Sequence, residues 1–418
     1  MKVLHVTPFF AEGYGGTERY SYFLTRKLAS LGVKVTVFTS RLSNNSPADY
    51  YMLPNLRVRR FLTMGNIWGI NPLALMFPSL LADLDDFDVV HVHSYLYFTS
   101  NQTILAKIYR SYINMENPPI ILQIHGGIGV PKYMKIKPYK MFGKRFYDLI
   151  FGKLTLIASD FIVTMSELEW NLLRKYFRLK YDNHIILPNA VDDSILKKAK
   201  FVEVDETGPP FTVIYVGDLE PWKGVENLLI ATKILTKLIR NLRVLIVGEG
   251  TQRKNLEDFA TRNKLPVWFA GYLPHNNALT EITYSNVFVL PSLWEGMPTV
   301  LLEAMALKTP VVTTNVGAVS ELIKNEINGL IVPPNDPKAL ANAIYRLWKD
   351  QDFAERCANR AYNDVRRYYT FSRVARKIIR FYKLAIDLAL EKRKYRLSKY
   401  VPKDMIEHAM GRPYQRII

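Results

Sequence analysis

A short apolar run, a glycine-bearing loop, an amphipathic helix and a second apolar run occur at the start of the chain and again past its midpoint. This doubled unit constrains the fold more than any other feature. In the first copy Lys2–Thr7 (KVLHVT) reads as a buried strand and Pro8–Gly16 as a loop ending in Gly15 and Gly16. Thr17-Glu18-Arg19 then opens a helix with Tyr20, Phe23, Leu24, Leu28 and Leu31 at helical spacing, and Val33–Thr39 is the next strand. In the second copy Phe211–Val216 is a strand, Gly217–Gly224 a loop, Val225 to about Ile239 a helix, and Arg243–Val247 a strand running into Gly248-Glu249-Gly250. Further apolar strands are expected at Asp88–His93, Ile120–Gly126, Phe161–Met165 and Ile185–Leu187, and then at Val267–Ala270, Val287–Leu290, Pro310–Thr314 and Gly329–Val332. Continuous apolar strands alternating with helices predict α/β domains with parallel sheets covered on both faces.

The expected organisation is a first Rossmann-like, doubly wound domain over 1–197, a linker over 198–210 containing Gly208-Pro209-Pro210, and a second such domain over 211–370. A helix over 371–390 follows, with Val374, Ile378, Phe381, Ala385 and Leu388 on one stripe. It has to bury that stripe, and the first domain is the expected place. A basic tail occupies 391–418. The ligand is expected in a cleft between the two domains, where the strand ends of both sheets face each other.

Bulk properties narrow the function. At 418 residues the chain suits two or three domains, and 49% hydrophobic with 22% charged residues is a globular composition. The single cysteine, Cys357, excludes an internal disulfide and fits a reducing compartment. No apolar run reaches the ~20 residues that span a bilayer. The start, MKVLHVTPFF, reads as a strand and not as a signal peptide, so a cytoplasmic protein is expected. Lys and Arg number 56 against 38 acids, a net charge of +18, which attracts polyanions: nucleic acid, anionic lipid or phosphorylated substrates. Two stretches concentrate this charge. Pro131–Lys153 interleaves its cations with Tyr133, Tyr139, Phe142, Phe146, Tyr147 and Phe151, and Lys392–Ile418 forms the tail. Such stretches suit an anionic membrane surface, or, more plainly, a solvated helix face. The apolar, proline-broken Met64–Leu81 could add an interfacial lip or an acceptor groove.

Chemistry concentrates in Pro291–Ala306 (PSLWEGMPTVLLEAMA). Glu295 and Glu303 stand with seven residues between them, a Gly296-Met297-Pro298 turn follows the first, and an apolar helical run carries the second. Pro298 fits the first helical turn, where its missing N–H costs nothing. That places Glu295 at a loop lip and Glu303 behind it, about one turn into the helix. The free amides at the helix start, from Thr299 on, can take an anion. Carboxylates for sugar hydroxyls beside a phosphate cradle suggest a nucleotide-sugar site. The pair Gly15-Gly16 similarly lets backbone approach a ligand, without forming the G-x-G-x-x-G dinucleotide fingerprint. His125 ends its strand before Gly126-Gly127, at the sheet end where ligands of open α/β folds sit, and His93 ends its strand in the same way. The D-x-D spacings in Asp83–Asp88 suit a metal-dependent transferase, but carboxylates in a turn before a strand read as solvated.

In their order and spacing these features resemble the retaining glycosyltransferases of family 4, with the two-domain GT-B architecture. The resemblance runs to about Leu388. It is carried by Gly15-Gly16-Thr17-Glu18, Val89-Val90-His91-Val92-His93, His125-Gly126, Pro188-Asn189-Ala190-Val191-Asp192, Lys223-Gly224, Val247-Gly248-Glu249-Gly250 and the E-x7-E of Glu295 and Glu303. It implies a donor site of Gly15, Gly16, Lys223, Gly248, Glu249, Glu295, Gly296, Met297, Pro298, Thr299 and Glu303. Glu295 would meet sugar hydroxyls, Glu303 the ribose, Lys223 the diphosphate and His125 the reacting sugar; His125, Glu295 and Lys223 are the expected catalytic set. The implied donor is UDP- or GDP-linked, without a metal or other cofactor. The implied acceptor is a glycan or a polyprenol-linked lipid at the cytoplasmic membrane face, and nucleic acid is not an expected partner. Transfer with retention would proceed on one face of the sugar, guided by the leaving phosphate. Two positions depart from the family pattern: Asp218 stands where Arg is usual, removing a diphosphate cation that Arg19, Arg253 or Lys254 could replace, and Ala190 stands where glycine is common. Two other classes compete. A nucleotide-sugar epimerase of similar fold needs neither an acceptor groove nor membrane-seeking aromatics. A non-catalytic basic binding protein, with Asp218 marking a decayed site, conflicts with intact Glu295, Glu303, Lys223 and His125.

Overall fold

Valine- and isoleucine-rich runs bury on both faces, and in the computed structural model they form two parallel sheets. The structure describes residues 1–11, 16–41, 47–67, 71–128, 138–180, 183–204 and 208–395. One unit takes the chain as far as Pro188 and again from Phe371; the other spans Asn189–Thr370.

The first unit holds a sheet in the order His184–Ile186, Phe161–Thr164, Ile120–Gln123, Val89–His93, Lys2–Val6, Lys34–Ser40, Leu56–Phe61, Asp49–Leu53, parallel except for the last strand. Strand order reverses at Lys2–Val6 and Val89–His93, where His5 is in register with His91. Loops leaving the carboxyl ends of these two strands diverge, and that opening is where such a sheet takes a ligand. The two outer strands were not among the expected elements. Leu56–Phe61 alternates buried Leu56 and Val58 with arginines, a cation-rich pattern that masks a strand. Arg57 and Arg59 bind Asp49 and Asp83 at 2.5 Å each, so the sheet edge is closed by charge, a common defence against edge pairing. Asp85 pairs with buried Arg110, and Asp88 accepts from the Lys2 amide at 2.7 Å. The acidic turn is thus structural, at the amino end of Val89–His93, away from the ligand end of the sheet. Part of Met64–Leu81 forms an antiparallel pair, Thr63–Ile67 with Asn71–Ala74, and then the helix Phe77–Asp83. Its Ala74, Met76 and Leu80 are core residues, while Met64 is exposed.

The long C-terminal helix Phe371–Tyr395 belongs to this unit. Val374, Ile378, Phe381, Tyr382 and Ala385 are buried, the Phe381 ring meets Phe161 at 5.1 Å, and Lys377 Nζ donates to the Ile186 carbonyl at 2.9 Å. The helix continues beyond 390 into the stretch expected to be tail; the rest of that tail, 396–418, lies outside the described residues, as do Gly15 and the start of the basic stretch, 131–137.

The second unit holds six parallel strands in the order Val267–Gly271, Leu242–Val247, Phe211–Val216, Val287–Leu290, Val311–Thr314, Leu330–Val332. Its order reverses between Phe211–Val216 and Val287–Leu290. The unit begins at Asn189, inside the expected first domain of 1–197 and ahead of the expected start at 211, and the reason is local: Asn189 Nδ2 donates to the Met297 carbonyl at 2.6 Å, and the Val191 amide to Tyr369 at 2.9 Å. Residues expected to end the first domain are therefore tied into the second. The expected linker is also partly held, since the Lys200 amide donates to Leu307 at 3.0 Å.

If the C-terminal helix is core to the first unit, Phe381→Ala should destabilise the chain by about 3–5 kcal/mol in urea unfolding. A loss below about 1 kcal/mol would show the helix to be loosely attached.

Candidate functional site

In the second unit the two loops leaving the reversal point meet. Pro221–Lys223 is a single 3-10 turn after Phe211–Val216, and Pro291–Pro298 follows Val287–Leu290. Lys223 Nζ lies 2.8 Å from Glu295 Oε1, and Ser292 Oγ donates to the same oxygen at 2.7 Å. The approach depends on glycine. Gly224 has φ +63°, and a Cβ there would stand 2.2 Å from the Pro291 carbonyl oxygen; at Gly317, φ +55°, a Cβ would stand 1.8 Å from that of Glu295. No side chain fits between these backbones. Gly248 makes a third such contact, its Cβ position lying 2.0 Å from the Gly217 carbonyl oxygen. Glu303, in the helix Thr299–Ala306, meets His275 Nε2 through Oε1 at 2.9 Å. Asn189 fixes the turn between the two acids by bonding Met297 and, at 3.3 Å, Thr299 Oγ1.

Several expectations change. Pro298 is not inside the first turn: it has extended backbone (ψ 117°) and caps the helix, which starts at Thr299. Glu295 and Glu303 do not differ in depth, with 7% and 5% exposure; they differ in partner, one a lysine and the other a histidine. Glu249 points to solvent and pairs with Arg253, and Arg253 also holds Glu257 at 2.8 Å. Arg253 is thereby a poor replacement for the missing cation. Lys254 is exposed on the helix Arg253–Arg262, and Arg19 lies over the Phe23 ring in the first unit. Asp218 is exposed, and its carbonyl accepts from Tyr215 OH at 2.8 Å; burial and the charges of Glu295 and Asp218 push the Tyr215 phenol far up. Ser292, His275 and Gly317 carried no mark in the sequence. They become partners only because the sheet brings distant loops together.

In the first unit Gly16 starts the helix Gly16–Ser30. His125 stands after Ile120–Gln123, followed by Gly126 and Gly127 at φ +79° and +76°. Glu169 holds this turn, accepting from the Gly126 and Met165 amides at 2.7 Å each. His125 is not alone. Its Nε2 is 3.0 Å from His93 Nδ1, and His93 Nε2 is 3.0 Å from His5 Nδ1. Tyr382 OH lies 3.3 Å from His5 Nε2 and 2.5 Å from His91 Nδ1. His5, His91, His93 and Tyr382 are fully buried, and Tyr20 sits edge-on to His125 at 5.2 Å. Burial holds His5 and His125 at about 3 and lowers His91 and His93 well below the usual imidazole value. Nitrogens of His5, His91 and His93 lie within 4.8 Å of one another, as in a metal-binding group. Both nitrogens of His5 and of His93 are spent, however, on each other, on Tyr382 and on His125, and His91 Nδ1 is spent on Tyr382; only His91 Nε2 has no hydrogen-bond partner.

Comparison with known proteins agrees with this architecture. The sequence model of Glycosyltransferase Family 4 matches residues 14–195, and that of Glycosyl transferases group 1 matches 197–364. An uncharacterized glycosyltransferase of Methanocaldococcus jannaschii is 35% identical over 181 residues, 42% of this chain, which spans only 45% of that relative. One of the subunits of the phosphatidylinositol N-acetylglucosaminyltransferase of Arabidopsis thaliana is 24% identical over 85% of this chain and 80% of its own length. The Anabaena protein HepE, solved in complex with UDP, superposes with a TM-score of 0.68 at 16% identity, over 92% of this chain and all of its own. The fold is GT-B.

The buried row makes stability depend on pH. A histidine kept neutral in the fold but free to protonate near 6.5 when unfolded stabilises fully above that value, and progressively less as pH falls below it. His125 keeps some solvent access, so only His5, His91 and His93 are counted. Between about pH 7 and about pH 5.5 they should remove roughly 4 kcal/mol of stability. A urea midpoint that does not move over this interval would show that the rings titrate freely.

Proposed function

Because the chain belongs to glycosyltransferase family 4, among the group 1 glycosyl transferases, we propose that it moves a sugar from a nucleotide-diphosphate donor to a lipid-linked or glycan acceptor, with retention and without a metal ion. The observation that carries this is the Lys223–Glu295 pair at the strand reversal of the second unit, beside Glu303. Departure of a nucleoside diphosphate builds negative charge on its terminal phosphate. An ammonium and helix-start amides aimed there stabilise it where a metal otherwise would. Glu295 exchanges part of its bond to Lys223 for sugar hydroxyls when the donor binds, which releases the ammonium toward phosphate. Glu303, oriented by His275, accepts from the ribose hydroxyls, and His125 meets the transferred sugar. The acceptor oxygen bonds to the anomeric carbon on the face from which the phosphate leaves, the carbon–phosphate-oxygen bond breaks, and the acceptor proton passes to the departing diphosphate. HepE with bound UDP supports a uridine donor as the first to test. Exposed Asp218 leaves the phosphate end with an acid in place of a cation.

A membrane-borne acceptor is supported by the surface of the first unit. The helices Pro138–Tyr147 and Lys153–Ala158, joined by the π-helical Asp148–Gly152, expose Phe142, Phe146, Leu149, Ile150, Phe151 and Leu154, with Arg145 exposed beside them. Apolar and aromatic groups beside an exposed cation suit the headgroup boundary of an anionic bilayer. Among the described residues no helix is long and apolar enough to cross a membrane. We place the protein on the inner membrane face as a peripheral enzyme, in line with the phosphatidylinositol in the name of the Arabidopsis relative.

Glu295→Ala and Lys223→Ala should each lower nucleoside diphosphate release from UDP- or GDP-sugars, in the presence of membrane acceptor, by at least about 100-fold with the unfolding transition intact. Near-normal release in both would remove the pair from the site, and turnover of the sugar nucleotide with no free nucleotide would favour an epimerase. In flotation with phosphatidylglycerol vesicles, the Phe146→Glu, Leu149→Glu double variant should bind about 10-fold less than the parent chain. Equal flotation of both would separate this surface from the membrane.

A further inference from the structure

We infer that Tyr382, His93 and His5 are positioning residues that fix the tautomer of His125, so that His125 offers its Nδ1 lone pair as an acceptor to the sugar. The consequence for the sugar rests on the proposed function; the tautomer does not.

A neutral imidazole has one N–H and one lone pair. In a row of such rings joined nitrogen to nitrogen, each bond holds one proton, so all the protons point the same way. The row here is His125, His93, His5, Tyr382, His91, with contacts of 3.0, 3.0, 3.3 and 2.5 Å in that order. Two senses are possible, and the tyrosine chooses between them. Its 2.5 Å contact to His91 Nδ1 has the length of a phenol O–H donating, and its 3.3 Å contact to His5 Nε2 suits a ring N–H donating to the phenol oxygen. His5 is then protonated on Nε2 and accepts at Nδ1 from His93 Nε2–H, and His93 accepts at Nδ1 from His125 Nε2–H. The nitrogen of His125 outside the row, Nδ1, is left as an acceptor.

The row stays neutral because its inner rings are dry, so it transmits orientation and not charge. At its far end His91 Nε2 carries the proton, and the side chain of Gln123, the register partner of His93, faces it as well as the Tyr20 hydroxyl. A metal held by His5, His91 and His93 would need three nitrogens converging at about 2 Å on one point. Instead His91 and His93 stack flat at 4.6 Å, and His5 and His93 face each other nitrogen to nitrogen. Tyr382 lies on the C-terminal helix, so that helix sets a property of a residue at the ligand end of the sheet.

The test is long-range proton–nitrogen NMR on the full chain with labelled histidine, the His125 signals being assigned by their loss in His125→Gln. His125 should be protonated on Nε2 in the parent chain. In Tyr382→Phe, which keeps the shape and removes the hydroxyl, it should become a mixture of tautomers. His93→Gln, which breaks the row next to His125, should give the same mixture and serves if Tyr382→Phe fails to fold. An Nδ1-protonated His125 in the parent chain, or an unchanged tautomer in the variants, overturns the inference. So do cobalt(II) ligand-field bands that appear with the parent chain and are lost in His5→Gln. With UDP-glucose and GDP-mannose as donors, whichever is turned over, Tyr382→Phe should lower kcat about 2-fold, in step with the fraction of His125 still protonated on Nε2, with KM unchanged; an unchanged kcat beside a mixed tautomer would fail the sugar contact of the proposed function and leave the row intact.

Discussion

The contact between Lys223 and Glu295 joins two loops that leave neighbouring strands in opposite directions, and the second unit is built so that this contact can form. Parallel pairing of Phe211–Val216 with Val287–Leu290 puts both loops at one sheet end. Gly224 and Gly317 then let backbone lie against backbone on either side of the Pro291–Gly296 segment. A nearly buried carboxylate is costly unless it is paired, and Ser292 and Lys223 together satisfy one oxygen of Glu295. The same pairing keeps the lysine in place at an edge where phosphate is expected. Charge and close backbone approach thus meet in one loop pair, which glycine alone permits.

The first unit solves the corresponding problem without charge. At its own strand reversal it places three imidazoles and a phenol in full burial, where an ion would be expensive. Hydrogen bonds among neutral rings satisfy nearly every polar atom of the row and hold the rings stacked. One end of the row is His125, on a two-glycine turn fastened by Glu169. The acid and cation that would steer a diphosphate lie in one unit, and the rigid, uncharged hydrogen-bonding groups lie in the other.

Central strands were legible because burial on both faces leaves mostly apolar residues, and such runs stand out along the chain even where His5, His91 and His93 interrupt them. The strands that escaped are the outer pair at one edge of the large sheet, Leu56–Phe61 and Asp49–Leu53, and the separate pair Thr63–Ile67 and Asn71–Ala74. In Leu56–Phe61 the arginines serve an edge, and their pairing with Asp49 and Asp83 has no sequence period. The end of the first unit was placed too late for a related reason. Nothing in Asn189 announces that its amide will reach Met297, more than a hundred positions away. Glu249 and Arg253, each assigned to the donor by motif or by charge, turn out to satisfy each other one helical turn apart.

What the sequence determined by itself is whatever depends on local pattern: two doubly wound α/β units, a final helix with a buried stripe, and two acids spaced around a glycine–proline turn. Those follow from periodicity, turn chemistry and burial, which act over a few residues. Only the tertiary structure decided partners. It gave Lys223 to Glu295, His275 to Glu303, Arg253 to Glu249, and a tyrosine near the end of the chain to a histidine near its start. A side chain's charge state, tautomer and free hydrogen-bonding capacity are set by whatever stands within about 3 Å, and in a parallel sheet those neighbours come from strands far apart in the chain.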